Sequence, residues 1–331
     1  MQGRVKRGVI YILVVLSPIL LGLASLFFGP YPIDPARVIS LILNPALDYT
    51  PERVIVMDIR LPRLFLAGIS GAALSVSGVI LQGIFHNPLA DPFILGISAG
   101  AALGCALSIA LFPELPVQIA AFIFGCVAVV LAYSMARASG SLSRLSLILS
   151  GIIVSSFFSA LVSVIKFLVD PYKLQSIVFW LMGSFSLADW RQVKMAAIGV
   201  VAGLIPIFLM RWRLNVLSMG ETEARTLGQN VSRERLILIL FATLIVSITV
   251  SFSGIIGWVG IMVPHFLRLS LGPDHRVLVP LSFAGGASFM ILADTLARSF
   301  TAFDLPIGII TALLGAPFFF FLFTRLKGEV W

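Results

Sequence analysis

The chain has 331 residues, of which 59% are hydrophobic and 11% are charged, and its formal net charge is +8. Soluble domains contain about 45–50% apolar and about 25% charged residues, so this composition excludes a soluble globular protein and indicates a polytopic membrane protein. The basic residues are scattered between apolar segments rather than massed on one face, which argues against a nucleic-acid partner. Cys105 and Cys126 both lie in apolar segments and predict no disulfide framework.

The first apolar segment follows a short basic stretch. Arg4, Lys6 and Arg7 precede an apolar run over residues 8–28, a pattern that signal peptides share. The run is about 20 residues long, beyond the roughly 7–15 residues of a signal-peptide core, and no clear small-x-small cleavage site follows it. We interpret the run as a retained first transmembrane helix.

Ten apolar segments are long enough to cross a bilayer, whose core needs roughly 20 mainly apolar residues per helix. The predicted spans are residues 8–28, 60–84, 93–112, 115–136, 145–167, 193–210, 236–253, 255–270, 277–298 and 304–324. The sequence therefore predicts an all-α polytopic membrane protein that forms a single transmembrane domain over residues 1–331. Gly254, Gly257, Gly260 and Pro264 crowd the eighth span, which predicts a broken or kinked helix there.

Lysine and arginine indicate the orientation, because cytoplasmic loops carry an excess of both. With a cytoplasmic N-terminus, 14 of the 23 basic residues fall inside and nine fall outside. The sequence thus predicts cytoplasmic N- and C-termini in a multi-pass protein of the cell (inner) membrane, surrounded by lipid. The loop 211–235 then lies inside, with eight charges in 25 residues. Helices of a bundle are usually joined by about 2–8 residues, so this loop predicts a water-soluble partner.

Small residues recur at helical spacing in two of the spans. They are Gly68, Gly71, Ser75 and Gly78 in the second span and Gly96, Gly100 and Gly104 in the third. Small side chains let helix backbones approach closely in lipid, so we interpret these residues as packing contacts rather than as a ligand site.

Residues that could carry chemistry are sparse. None of the five lysines follows a glycine, so the chain has no P-loop and we expect no ATP hydrolysis by that route. His86, His265 and His275 lack metal-ligand spacing, and we expect them to form structural hydrogen bonds, with no metal or cofactor bound by this chain. Asp294 lies in the ninth span, and Arg298 one turn later predicts a local pair. The sequence shows no cluster of acids in mid-membrane, so if the chain moves a cargo, the driving energy should come from outside this subunit.

Three arginines lie on the predicted outer side, which usually avoids positive charge. Arg60 and Arg63 begin the second span, and Arg298 ends the ninth. One interpretation is interfacial anchoring, with the charged group reaching toward water. The other is a positive docking surface for an acidic partner, because arginine binds carboxylates through two parallel hydrogen bonds.

A series of short motifs between about residues 55 and 325 resembles those of one family. The motifs are Arg60-Leu61-Pro62-Arg63, Asn87-Pro88-Leu89-Ala90-Asp91-Pro92, Met182-Gly183-Ser184, Met219-Gly220-Glu221-x-x-Ala224-x-x-Leu227-Gly228, Gly260-x-x-x-Pro264-His265-x-x-Arg268, Leu305-Pro306-Ile307-Gly308 and Gly315-Ala316-Pro317. In these motifs the chain resembles the FecCD-type permeases, the membrane subunits of ATP-binding-cassette (ABC) importers for iron–siderophore complexes, haem and vitamin B12.

The resemblance implies a ten-helix type II importer permease, in which spans two to five and seven to ten form related halves of opposite topology. It also implies a homodimer, two cytoplasmic ABC ATPase subunits that bind ATP and Mg, and an extracytoplasmic substrate-binding protein. Arg60, Arg63 and Arg298 are similar to the arginines that receive acidic residues of that binding protein. Ser141-Leu142-Ser143 is similar to the cytoplasmic gate.

By the same resemblance, residues 217–231 are similar to the coupling helix that inserts into the ATPase. The implied ATPase-coupling residues are Met219, Gly220, Glu221, Ala224, Arg225, Leu227 and Gly228. The chain departs from the general importer loop Glu-Ala-Ala-x-x-x-Gly, because Arg225 replaces the second alanine and Gly228 comes one place early.

The residue pattern agrees with a helix at this place. Leu217, Ala224 and Leu227 fall near one helical face, Glu221 and Arg225 form an i,i+4 acid–base pair, and a glycine after Leu227 can end the helix. The alternative is a merely solvated connection.

The sequence therefore predicts a non-catalytic permease subunit of an ABC importer for a large metal chelate, which is a ferric siderophore, haem or cobalamin. An importer of an oxyanion such as molybdate is the first alternative, since the binding protein rather than the permease is expected to select the cargo. An ion-driven secondary transporter or channel acting alone is the second, and a membrane enzyme is the third. An enzyme would need convergent His, Asp or Glu residues at one membrane depth, which the sequence does not suggest.

Overall fold

The computed structural model of the chain describes residues 2–44, 50–140, 142–299 and 304–325, in which the regular secondary structure is helical and no strand occurs. The helices are α1 (Gln2–Ser25), α2 (Pro35–Leu43), α3 (Pro51–Arg53), α4 (Leu61–Phe85), α5 (Ile97–Leu111), α6 (Val117–Ala138), α7 (Arg144–Leu168), α8 (Pro171–Leu181), α9 (Trp190–Leu217), α10 (Glu221–Thr226), α11 (Val231–Ser253), α12 (Val259–Leu271), α13 (His275–Ser299) and α14 (Ile307–Arg325). A π-helical turn, Val54–Arg60, joins α3 to α4 without a break.

Within the described residues, seven helical stretches are long and apolar enough to cross a bilayer. Three shorter apolar helices accompany them, namely Ile97–Leu111, Val259–Leu271 and Ile307–Phe321. The architecture is therefore all-α and compatible with the ten spans expected from the sequence. Two of the short helices are short because the chain in front of them, at residues 86–96 and 254–258, is not helical.

The helices form two groups of four, α4–α7 and α11–α14, that run in opposite directions. In each group a long helix is followed by a non-helical segment and then by a short helix. Helix α4 begins at the end of the bundle where α8 lies, whereas α11 begins at the end where α10 lies. We refer to these as the α8 end and the α10 end. This arrangement agrees with the inverted repeat implied by the family resemblance.

Helix α4 occupies the centre of the bundle, and 20 of its 25 residues are buried. Gly71 packs directly on Gly286 of α13, and a methyl group on either glycine would overlap the other's carbonyl oxygen. Gly78 meets the carbonyl of Gly260 on α12 in the same way. The small residues of the second span therefore act as the packing contacts that we predicted, bringing backbones together where lipid offers no hydrophobic drive.

The third span departs from its prediction at one residue. Gly100 and Gly104 do face backbone carbonyls of α6, those of Phe124 and Ala120. Gly96, however, precedes α5 with a φ of 89° and is not part of the helix. The packing contacts of this span are therefore made by two glycines rather than by the three that the spacing indicated.

The eighth span is interrupted, as predicted, but the interruption lies before its proline. Gly254 and Trp258 both have positive φ angles, 69° and 74°, and helix α12 begins only at Val259. Pro264 lies inside α12. The unwound segment 254–258 corresponds to residues 86–96 of the other half.

Candidate coupling and gating site

The charged segment 211–235 consists of two helix ends joined by a short connection. Helix α9 continues to Leu217 and α11 begins at Val231, with the six-residue helix α10 between them. Gly220 precedes α10 with a φ of 138°, and Gly228 follows it with a φ of 75°. Both angles favour glycine, so these residues allow the sharp turns that set α10 apart from its neighbours.

Helix α10 has one buried anchor and two exposed apolar neighbours. Ala224 is fully buried against the bundle, whereas Met219 and Leu227 are 64% and 57% exposed. The predicted apolar face of Leu217, Ala224 and Leu227 is wrong, because Leu217 belongs to α9 and the chain turns at Gly220 between them. The structure instead fixes α10 at Ala224 and presents two apolar side chains away from the bundle.

The carboxylate of Glu221 has two arginine neighbours. It accepts a hydrogen bond from Nη2 of Arg235 on α11 and lies 4.0 Å from Nη2 of Arg225, its predicted i,i+4 partner. The hydrogen bond from Arg235 is the main cause that lowers the pKa of Glu221 below its ordinary value. A lowered carboxyl pKa means that the pair stabilises the fold at neutral pH, and that this contribution is lost only as the pH falls through the pKa of the folded state.

Arg235 also contacts the predicted gate. Its Nη1 donates a hydrogen bond of 2.8 Å to the carbonyl oxygen of Leu142. Ser143 caps α7, because its Oγ accepts a 3.0 Å hydrogen bond from the amide of Ser146. Ser141, the third residue of the predicted gate, lies outside the described residues.

The structure thus joins Glu221 of the predicted coupling segment to Leu142 of the predicted gate through Arg235. The sequence patterns assigned no role to Arg235. Its position near the start of α11 could have indicated one. A cation there is unfavourable because it faces the positive end of the helix dipole, so it needs a specific partner.

The three histidines differ in their surroundings. Nε2 of His86 lies 2.8 Å from the carbonyl of Leu217, and burial lowers the pKa of His86. Nδ1 of His275 lies 2.8 Å from Oδ1 of Asn215. His265 packs against the ring of Phe319 and has no hydrogen-bond partner among the described residues, contrary to our expectation. In the described part of the chain, no group of three or more His, Cys, Asp or Glu residues could hold a metal ion.

At the α8 end, Arg63 lies between two carboxylates. Its Nε donates to Asp294 at 2.8 Å, and its Nη1 donates to Asp304 at 2.7 Å. The predicted pair of Asp294 with Arg298 is present at 3.6 Å, so Arg63 is the closer partner. Asp294 is buried, whereas the Asp304 side chain is 35% exposed.

The other two arginines at this end hold the end of α1. Arg60 donates to the carbonyls of Leu26 and Tyr31, and Arg298 donates to those of Ser25 and Phe28. Ser25 is the last residue of α1 and the other three follow it, so both cations lie near the C-terminal end of this helix, where the helix dipole favours positive charge. All three predicted docking arginines are buried and have internal partners, so none offers a free guanidinium group in this conformation.

Two cavities contrast in their lining. A cavity of about 440 Å³ between α1, α4, α9 and α13 is lined by apolar side chains and glycines. A second cavity, of about 480 Å³, lies at the α8 end. It is lined in part by residues with amide and hydroxyl groups, namely Gln118, Gln175, Gln192, Ser176, Ser184, Ser186 and Ser253. Only the second offers hydrogen bonds to a polar solute.

A family model described as the FecCD transport family matches residues 16–325. The chain belongs to the FecCD transport family. The protein of Helicobacter pylori named "Probable iron chelatin transport system permease protein" is 46% identical over 275 residues, which is 83% of this chain and 84% of the relative. The Haemophilus influenzae protein named "Molybdate import system permease protein MolB" is 37% identical over 98% of this chain and 96% of its own length.

A solved structure described as "An inward-facing conformation of a putative metal-chelate type ABC transporter" is also similar. It superposes with a TM-score of 0.85 at 35% identity, over 96% of this chain and 99% of that one. The family and the fold class predicted from the sequence are therefore confirmed. As a FecCD permease the chain is the non-catalytic, multi-pass membrane subunit of an ABC importer, and a separate subunit hydrolyses ATP. These findings do not support an ion-driven carrier acting alone or a membrane enzyme.

Proposed function

We propose that the chain imports a large metal chelate, which is a ferric siderophore, haem or cobalamin. It works as a homodimer with two ABC ATPase subunits and an extracytoplasmic binding protein, each copy forming one permease domain over residues 1–331. The α10 end and both termini face the cytoplasm, and the α8 end faces the binding protein. The observation that carries this proposal is the position of α10, which is flanked by the exposed Met219 and Leu227 and is joined through Arg235 to the gate segment at Leu142.

The lining of the polar cavity is compatible with a chelate and offers little to an oxyanion, while the binding protein is expected to select the cargo. Its lining offers neutral amides and hydroxyls together with one carboxylate, that of Asp304, which already pairs with Arg63. No lysine or arginine is among the described residues that line it. Recognition of a small anion favours cationic side chains, whereas a bulky polar chelate can use neutral hydrogen bonds. Molybdate remains the alternative cargo, because one relative is named for it.

A reconstituted importer tests the proposal. In proteoliposomes that contain this chain, its ATPase and its binding protein, we expect ATP-dependent uptake of a ferric siderophore, haem or cobalamin, measured as accumulated radiolabel. Vesicles with the same proteins and no ATP serve as the control. Uptake of molybdate alone would favour the oxyanion alternative, and uptake driven by an ion gradient without the ATPase would contradict the proposal.

We also propose that a carboxylate of the binding protein replaces Asp304 on Arg63. Among the described residues, Arg63 and Arg298 share two carboxylates, Asp294 and Asp304, whereas Arg60 donates to backbone carbonyls, so these three cations are paired with two anions. Asp304 is the more exposed of the two, with a side chain 35% exposed against 4% for Asp294. Exchange of partners at Asp304 would admit a docking carboxylate without exposing the buried Asp294.

Replacement of Asp304 by asparagine should strengthen docking, because Arg63 then lacks its exposed partner. We expect the Kd for the binding protein to fall about fivefold, which corresponds to about 1 kcal/mol. Surface plasmon resonance on the permease in nanodiscs would measure it. Asp58→Asn is the matched control, because Asp58 is an exposed carboxylate paired with a different arginine, Arg53, at 3.6 Å. Equal affinities of the Asp304→Asn variant and the unmodified protein would refute docking at Arg63.

A further inference from the structure

One side chain on α11 contacts both of the segments that move in the proposed transport cycle. Nη2 of Arg235 donates to Glu221 on α10, and Nη1 donates at 2.8 Å to the carbonyl of Leu142, two residues before α7. The two nitrogens belong to one planar guanidinium group. Their directions are therefore fixed relative to each other, and a shift of one acceptor reorients the donor to the other.

The guanidinium group is held inside the protein, and its partner on α10 is not. Arg235 is 7% exposed, whereas the Glu221 side chain is 40% exposed. A buried charge that loses a partner is strongly unfavourable, so Arg235 favours arrangements that keep both of its acceptors in place. Its backbone lies in α11, a long helix that packs on α4, α6 and α9.

Helix α10 is attached to the bundle at few points. Ala224 is its buried residue, and Gly220 and Gly228 provide turns at both of its ends. Among the described residues, the ion pairs of α10 are those of Glu221 with Arg235 and with Arg225, and Arg225 belongs to α10 itself. The contact of Glu221 with Arg235 is therefore the side-chain ion pair that ties α10 to the rest of the bundle.

We propose that Arg235 is the positioning residue that transmits displacement of α10 to the gate segment at Leu142. When the ATPase moves α10, the Glu221 carboxylate draws the guanidinium group with it, and the hydrogen bond to the Leu142 carbonyl is altered. The first turn of α7, which begins directly after this segment, then changes its accessibility. This inference rests on the proposed function in one respect, which is that α10 binds the ATPase.

The test follows the accessibility of the first turn of α7 in the assembled complex. Leu145 is 65% exposed there, so Leu145→Cys provides a reporter in a chain whose Cys105 and Cys126 are replaced by alanine. The rate of labelling by a fluorescein maleimide is measured without nucleotide and with ATP and vanadate. With Arg235 intact we expect the two rates to differ about tenfold, in the range usual for coupled sites. With Arg235→Gln we expect equal rates, while the ATPase still co-purifies and still hydrolyses ATP.

Arg213→Gln is the matched control. It removes another arginine pair at the α10 end, that of Arg213 with Glu234 at 3.1 Å, and it leaves Leu142 and Glu221 untouched. We expect it to keep the full labelling response. If the Arg235→Gln permease itself does not fold, Arg235→Lys replaces it in the test, because lysine keeps the charge but lacks the bidentate donor geometry of arginine. We then expect the nucleotide-dependent change in labelling rate to be severalfold smaller than in the protein with Arg235.

The outcomes separate this inference from the proposed function. A full nucleotide response in Arg235→Gln, or in Arg235→Lys where that variant is used, overturns the relay. Loss of ATPase binding in Arg235→Gln also overturns it, since Arg235 would then only maintain the structure. If the protein with Arg235 intact neither binds the ATPase nor responds to nucleotide, the proposed function fails instead.

Discussion

Replacement of Arg63 by alanine should destabilise the protein by about 3–5 kcal/mol, because it removes one partner of a buried ion pair. The carboxylate of Asp294 is 4% exposed and would lose its 2.8 Å hydrogen bond from Arg63. Arg298 would compensate only in part, since its Nε lies 3.6 Å from Asp294 and its other two nitrogens already donate to carbonyls at the end of α1. Thermal unfolding of the detergent-solubilised protein, followed by its loss from the monodisperse fraction, would measure the effect.

Two variants test whether burial of the Arg63–Asp294 pair causes the expected loss of stability. Arg225→Ala removes an arginine from an exposed pair at 4.0 Å, and we expect a change below about 1 kcal/mol. The double variant Arg63→Met with Asp294→Leu removes both buried charges at similar volume and should recover much of the loss. A single Arg63→Ala variant as stable as Arg225→Ala would show that the buried pair does not stabilise this end of the bundle.

Introduction of an aspartate at Leu227 should abolish stable binding of the ATPase. Leu227 is 57% exposed beside the buried anchor Ala224, so the change leaves the fold of the permease intact while placing a charge in the expected contact. Loss of a central apolar contact in an interface is typically about 2 kcal/mol or more, which corresponds to about a 30-fold higher Kd. Co-purification of the tagged permease with its ATPase, and the Kd in nanodiscs, would measure it.

Pro273→Asp is the control for that experiment. Pro273 is an exposed apolar residue at the same α10 end, between α12 and α13, and it receives the same charge away from α10. We expect it to bind the ATPase normally. Equal ATPase binding by the Leu227→Asp and Pro273→Asp variants would contradict the assignment of α10 as the coupling element.

Variants at Leu227 and at Arg235 should therefore have different defects. The Leu227→Asp variant is expected to lose the ATPase itself, whereas the Arg235→Gln variant is expected to keep the ATPase and lose only the response of the gate. This difference follows from their positions, since Leu227 faces away from the bundle and Arg235 is buried within it. Together the two variants separate binding of the motor from transmission of its movement.

Several features could be predicted from the sequence because their causes are local. The span predicted at 145–167 corresponds to α7, Arg144–Leu168, since an apolar run of bilayer length must satisfy its backbone hydrogen bonds as a helix. The glycine after Leu227 is predicted to end a helix, and Gly228 does follow α10 with a positive φ. The interruption of the eighth span followed from its glycines.

Further features depended on contacts between residues far apart in the chain. Periodicity indicated the pair of Asp294 with Arg298, four residues apart, but the closer partner of Asp294 is Arg63, 231 positions away. Nothing near Arg60, Arg63 or Arg298 showed that the end of α1 and two carboxylates would occupy their guanidinium groups. Their burial was therefore missed.

The sequence by itself determined the membrane class, the approximate positions of the long apolar helices and the family, because hydropathy, glycine spacing and short motifs are properties of neighbouring residues. Only the tertiary structure decided which partners the buried cations meet: Arg63 meets Asp294, and Arg235 meets both the carboxylate of Glu221 and the backbone carbonyl of Leu142. The physical reason is that a buried charge takes whichever partner the packing of the helices places within reach. That packing is set by the whole bundle, so no local pattern specifies it.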